Sequence, residues 1–226
     1  MARQVSQGKC NLCGGTFGKQ AMTKHIQACK NRESTSETSA GRGAVKTKSF
    51  HLVAEGRYAP GYWMHLEVPA EAKLRMLDDF LRQIWLECCG HMSAFTIEGQ
   101  VYSVAPMTEY DDKSMNFKLD RVLEPGMKFF HEYDFGTTTH LALKVVSKGE
   151  SELKSKDIQV LARNEPPAIG CMSCDRMATQ VCTDCLWSGE GEGWLCDECA
   201  AEHRCGEEML LPVVNSPRVG MCGYTG

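Results

Sequence analysis

The chain has 226 residues, a net charge of −4 and 42% hydrophobic residues. That is long enough for one substantial core with small satellites. No run of eighteen apolar residues occurs, which excludes an ordinary membrane helix, and the opening "MARQVSQGKCNLC" lacks an apolar signal region. A cytoplasmic location is therefore expected. In that compartment thirteen Cys are read as metal ligands or free thiols rather than disulfides.

Charge is unevenly spread. Residues 1–48 carry a balance of +7, and residues 49–226 one of −11. A basic arm on an acidic body suits either an anionic partner such as nucleic acid or a solvated tail.

Within that arm, residues 8–30 read as a small metal module. "CNLCGGTFGKQAMTKHIQAC" places Cys10, Cys13, His25 and Cys29 in a C-x2-C-x11-H-x3-C pattern. It resembles the two-Cys, two-His zinc finger, with Cys as last ligand and one residue fewer than the usual twelve between the pairs. Phe17 and Met22 stand where such a finger has its small core. Lys19, Gln20, Lys24, Gln27 and Lys30 are candidate contacts to phosphate or base. One finger spans only about three base pairs, so a protein partner is the somewhat favoured reading over nucleic acid. Residues 31–48, "NRESTSETSAGRGAVKTK", show no apolar period and read as a flexible linker.

Residues 49–165 read as an α+β domain of layered architecture with one main helix, flanked by the zinc-stabilised modules. "SFHLVAEGRY" and "GYWMHLEV" predict two strands around Ala59-Pro60-Gly61. A helix is predicted from about Pro69 to Cys89, with Leu74, Leu77, Leu81, Ile84 and Cys88 along its apolar face and Gly90 as its stop. "AFTI" and "VYSV" flank Glu98-Gly99-Gln100, a hairpin signal. "KLDRVL" predicts one short helical turn. "KFFHEYDF", "HLALKVVS" and "DIQVLA" predict three further strands. On the first of these, Phe129, His131, Tyr133 and Phe135 alternate on one face, with His131 read as a satisfied core histidine. Asp134 and His140 bracket a Gly-Thr-Thr-Thr turn, either as a relay or with Asp134 capping the turn. Cys88 and Cys89 are read as inert core thiols.

Stretches of this domain, "YWMHLEVPAEAKLRMLDDFLRQIW", "GHMSAFTI" and "LDRVLEPGMKFFHEYDFGTTTHLAL", resemble the Ri-plasmid open-reading-frame-three-like family, also labelled transposon-passenger TnpR-type. The likeness covers about residues 49–163. Tyr133 to Gly136 is its most specific mark, with Trp63, His91-Met92 and His140 also in place. Met64 and Thr137 depart from the family's Arg and acidic residue. The resemblance implies a compact α+β fold and no particular activity, and no Ser or Tyr recombinase site accompanies it.

After the joint "NEPPAIG" (164–170), residues 168–226 form a Cys-rich module. Its spacing is C-x2-C (Cys171, Cys174), C-x2-C (Cys182, Cys185), C-x2-C (Cys196, Cys199) and H-x-C (His203, Cys205). A tight turn puts both sulfurs of a C-x2-C pair on one side, about 2.3 Å from a zinc ion. Eight ligands suit two tetrahedral sites. The His and the closed count favour zinc over an iron–sulfur cluster. The arrangement resembles cross-braced modules such as the B-box. That resemblance implies one site from Cys171, Cys174, Cys196 and Cys199, and another from Cys182, Cys185, His203 and Cys205, with Cys222 a rival for the last position. So small a module folds on metal binding, apparently worth about 10–16 kcal/mol in finger peptides. Three zinc ions are expected, falling to one in a chain ended near Ala168.

The function these features predict is a non-enzymatic zinc-binding adaptor, touching protein or nucleic acid through the basic finger. The alternatives are an enzyme acting on nucleic acid through Asp134, His140, Glu132 and His91, and a redox or metal sensor built on the C-x2-C thiols.

Overall fold

The computed structural model describes residues 6–31, 47–151, 157–188 and 193–226. Most of the predicted linker, and part of the basic arm, lie outside the described residues.

The described chain is both sheet and helix, dominated by one ten-stranded sheet. Its central ladders are antiparallel, some closed by local hairpins and others, such as the pairing of Thr47–Gly56 with Thr139–Ser151, joining distant parts of the chain. β3 (Thr47–Gly56) and β4 (Trp63–Pro69) pair around the predicted turn. β5 (Ser93–Ile97) and β6 (Gln100–Ser103) close on Glu98 and Gly99. Both turn residues have positive φ, 49° and 84°, as a two-residue I′ hairpin turn requires. β8 (Lys128–Tyr133) pairs with β9 (Thr139–Ser151), and β10 (Gln159–Asn164) lies against β4. The two-residue β7 (Lys113–Ser114) ends one side of the sheet.

The other side ends in the N-terminal segment. β1 (Gln7–Cys10) pairs with β10 and with β2 (Thr16–Gly18). The sheet order is β2-β1-β10-β4-β3-β9-β8-β5-β6-β7. The N-terminal segment is thus tied to β10: Asn11 donates its backbone N–H to the Leu161 carbonyl at 2.8 Å and its side-chain amide to the Val160 carbonyl at 2.9 Å.

The main helix is shorter than the periodicity predicts. α2 spans Leu74–Leu81; the preceding helix, α1, is the Lys19–Ala28 segment after β2. Pro69 ends β4 instead of starting a helix. After Leu81 the chain widens into a π turn, Arg82–Leu86. The wider turn adds a residue, so Trp85 and Leu86 become fully buried while Ile84 is only partly covered. Leu74, Leu77 and Leu81 face the core as expected, packed with Phe50, Leu52, Met64 and Leu66 of the sheet.

β4 is buried along its whole length because both of its faces are covered. Met64, Leu66 and Val68 join the α2 core. On the opposite face Trp63 packs with Met22, Ile26, Cys10 and Cys29 of the N-terminal segment. Polar pairs continue this face: Ser49 donates to Glu67 at 2.8 Å, His51 Nε2 meets His65 Nδ1 at 2.9 Å, and Lys19 pairs with Glu55. At Gly8 any Cβ would strike the Trp63 ring and the Arg163 carbonyl, so only glycine lets β1 approach this closely.

The C-terminal segment forms a second, three-stranded sheet: β12 (Trp194–Leu195), β11 (Gln180–Cys182), β13 (Leu210–Pro212). Short helices α3 (Thr183–Trp187) and α4 (Asp197–Ala201) each begin just after the first Cys of a pair and contain the second. Val181 and Val219 belong to the main core. Beyond β13 the tail is stitched down by hydrogen bonds. Ser216 donates to the Trp85 carbonyl at 2.6 Å, and Asn215 exchanges bonds with Asn164.

Candidate metal centres

Four clusters of Cys and His each bring four donor atoms within 4.8 Å of one another. Together they absorb all thirteen Cys and three of the seven His. A tetrahedral zinc site with sulfur at about 2.3 Å and nitrogen at about 2.0–2.1 Å needs sulfurs roughly 3.8 Å apart and sulfur to nitrogen roughly 3.6 Å.

The first cluster holds Cys10, Cys13, His25 and Cys29. Cys10 ends β1 and Cys13 sits in the turn that Gly14 then reverses, with φ at 78°. α1 presents His25, whose Nε2 lies 3.2 Å from Cys13 Sγ. Phe17 stacks on the His25 ring at 4.2 Å and fixes its orientation. Burial pushes the Cys10 thiol up, whereas the Gly15 N–H pulls Cys13 down. Of the five candidate contact residues, Gln20, Lys24, Gln27 and Lys30 are exposed. Lys19 is instead committed to Glu55.

The second and third clusters are interleaved. Cys171, Cys174, Cys196 and Cys199 make one, with Cys174 Sγ 3.7 Å from both Cys196 and Cys199. Cys182, Cys185, His203 and Cys205 make the other, with Cys185 Sγ 3.3 Å from His203 Nε2 and 3.8 Å from Cys205. The sulfur separations match a tetrahedron's edge. α3 and α4 each begin just after the first Cys of a pair, so one helical turn carries Cys185 and Cys199 back beside their partners. Outside the cluster, Arg176 Nε donates to Cys174 Sγ at 3.5 Å. The thiols oppose one another's ionisation. Hydrogen bonding to Cys196 and Cys174 pushes Cys199 up to about 12, and burial with Cys182 and Cys185 pushes Cys205 up to about 12. Cys171 goes the other way. Burial would raise it, but N–H groups of Cys196, Ser173 and Cys174 hold it at about 6. A cation held at either cluster would relieve this repulsion by taking the thiolates as ligands.

Cys222 does not compete with Cys205. It lies across the molecule beside His91, whose Nε2 is 3.3 Å from Cys222 Sγ, and completes a fourth cluster with Cys88 and Cys89. The expectation of inert core thiols at Cys88 and Cys89 is therefore corrected: Cys89 is exposed and Cys88 half-buried, because the π turn ends the helix before them.

The four polar candidates for catalysis separate into two pairs. Glu132 and His140 sit opposite each other on β8 and β9, 3.0 Å apart. Asp134 does not reach His140. Its Oδ1 accepts from the Gly136 and Thr137 N–H groups, so it caps the turn, and its φ of 66° follows from that. Its Oδ2 accepts from buried Arg218 at 2.7 Å and lies 3.6 Å from His91 Nε2. Burial raises the Asp134 carboxyl, but Arg218 and the two N–H groups outweigh this and hold it below its usual value. Because the strand stops at Tyr133, Phe135 turns out to solvent rather than joining Phe129, His131 and Tyr133 inside. His131 is a buried core residue and is satisfied only in part: its Nε2 lies 2.8 Å from Asp78, fully buried on α2, while its buried Nδ1 has no hydrogen-bond partner. No helix among the described residues is long and apolar enough to cross a membrane.

No family model matches this chain, and no curated protein does. Among solved structures it is similar to a protein of unknown function, MM3350 from Methanosarcina mazei Go1, at 14% identity over 52% of this chain and 68% of that one, with a TM-score of 0.43.

Proposed function

We propose that the protein is a zinc-stabilised, non-enzymatic adaptor that meets a nucleic-acid or protein partner through its N-terminal finger. The observation that carries this reading is the three locally assembled four-donor clusters, at Cys10–Cys29, Cys171–Cys199 and Cys182–Cys205. Each offers only Cys and His, and four such donors leave no coordination position for a reacting water. Zinc in these places is structural, and the central sheet is the scaffold. The motif from Tyr133 to Gly136 supports placing residues 49–163 with the Ri-plasmid family. Exposed Gln20, Lys24, Gln27 and Lys30 form the contact face.

The test is elemental analysis of the full chain, with gel shifts on short single- and double-stranded nucleic acid at several salt concentrations. Zinc at the three local sites is expected. Lys24→Ala with Lys30→Ala should weaken the shift and flatten its salt dependence while leaving zinc content unchanged. A zinc-free chain that melts unchanged in strong chelator overturns the reading. If the zinc-loaded chain shows no shift, the partner is a protein.

A further inference from the structure

We propose that Cys88, Cys89, His91 and Cys222 form a fourth metal site, for a thiophilic divalent cation of the zinc class, that clasps the C-terminal tail onto the central domain. The proposal shares with the preceding one only the premise that thiol-rich clusters of this chain hold metal.

The donor set is the same three Cys and one His found in the first and third clusters, and all four donor atoms fall within the same 4.8 Å. Its assembly differs. Three ligands come from the loop between the π turn and β5, and the fourth from a residue 131 positions away. No C-x2-C spacing marks it.

The loop is held in a binding shape. Gly90, with φ of 74°, reverses the chain between Cys89 and His91. Glu87 accepts from the Gly90 N–H at 2.6 Å and from the Tyr133 hydroxyl at 2.9 Å. The same hydroxyl accepts from the Cys88 and His91 N–H groups at 3.4 and 3.3 Å. The Tyr133 ring stands edge-on to His91. From the tail side, Cys222 occupies left-handed backbone, φ 47°, flanked by Gly220 and Gly223 with φ of 74° and 68°. A non-glycine residue there is unusual, and it points Sγ at His91.

An outer shell is also present. Arg218, fully buried, donates to Cys88 Sγ at 3.3 Å, to Asp134 at 2.7 Å and to Thr139 Oγ1 at 3.0 Å. One dication with three thiolates and a neutral imidazole carries a net negative charge, and Arg218 stands against it. Such partners orient ligands and tune a metal site. Cys89 and Cys222 are exposed, unlike the buried Cys of the first and third clusters, Cys10, Cys29, Cys182 and Cys185. The fourth ion is therefore the most open to chelators and the first to leave.

The experiment counts zinc per chain on the full-length protein purified under reducing conditions. Four are expected in the wild type, three in Cys89→Ser, three in Cys222→Ser, and three again in the double variant, because both substitutions empty one site. Cobalt substitution gives a second readout. Each variant should lose part of the thiolate-to-cobalt absorption, and a protease should then cut the tail after Pro212. Three zincs in the wild type, unchanged by either substitution, overturn the fourth site and leave the three local sites standing. Intact mass showing Cys222 joined by a disulfide, with no fourth zinc under reducing conditions, also overturns it. A wild type without zinc overturns both proposals.

Discussion

The buried Asp78–His131 pair gives the sharpest test of how the central domain is held. Both side chains are fully buried, with Asp78 Oδ1 2.8 Å from His131 Nε2 and Arg82 3.9 Å from the other carboxylate oxygen. Burial on its own raises the Asp78 carboxyl. The His131 bond and charge, Ser93 and Arg82 outweigh it and leave the group below its usual value. Asp78→Ala strands the imidazole without its acceptor and should cost roughly 3–5 kcal/mol. Asp78→Asn keeps an acceptor and loses only the charge assistance, about 1 kcal/mol. Replacing both residues, Asp78→Leu with His131→Leu, removes the polar demand altogether and should recover at least about 2 kcal/mol of the summed single losses. The assay is urea unfolding of the zinc-loaded protein, followed by the fluorescence of buried Trp63 and Trp85. With a slope near 2 kcal/mol per molar urea, Asp78→Ala should move the midpoint down by about 2 M. The pH dependence has a definite sign. A carboxyl depressed in the folded state stabilises above its unfolded value near 3.9 and loses that contribution as pH falls through the lower folded value. The gap between wild type and Asp78→Ala should hold from neutrality to about pH 5 and close in stronger acid. Single losses that add to within about 0.5 kcal/mol in the double variant would refute the argument, because an unlinked pair has no shared term.

Three further outcomes are expected. His65 is driven down to about 4, first by burial and then by Lys19. The unfolded chain therefore takes up a proton near pH 6.5 that the folded one refuses, and stability should fall by roughly 3 kcal/mol between pH 6.5 and 4. His65→Phe should remove that part of the acid profile, and an unchanged profile counts against the assignment. Trp63→Ala empties the space beneath the N-terminal segment and should cost about 3–5 kcal/mol. Amide exchange should then rise first in β1, β2 and α1. Glu98→Asn supplies the side chain that tolerates left-handed backbone, so it should raise the melting midpoint, with a gain of up to about 1 kcal/mol by calorimetry.

Much of the site chemistry is local and so can be read from spacing. A C-x2-C pair needs only one turn to aim two sulfurs together, which is why Cys171, Cys174, Cys182 and Cys185 were identifiable before any fold was known. Strand hairpins are legible for the same reason: Glu98-Gly99 closes β5 on β6 with its own backbone. The helix ends earlier than its apolar periodicity predicts because a π turn shifts the side-chain phase after Leu81, and no residue type signals that shift. Asp78 is not legible as a buried residue, because a carboxylate beside an apolar helix face reads as a surface residue without its partner. That partner, His131, is 53 positions away.

The sequence by itself determined which residues gather into four-donor Cys/His clusters in three places, because those side chains fold back over short loops whose geometry the intervening residues set. Only the tertiary structure decided that Cys205 and not Cys222 joins Cys185, that the finger's hairpin extends the central sheet, and that Cys222 meets Cys88, Cys89 and His91. Each of these rests on contacts across much of the chain, 149 positions for Asn11 with Val160 and 131 for His91 with Cys222. At such separations the pairing is chosen by packing of the whole core around Trp85, Tyr133 and Arg218, and no local pattern carries that information.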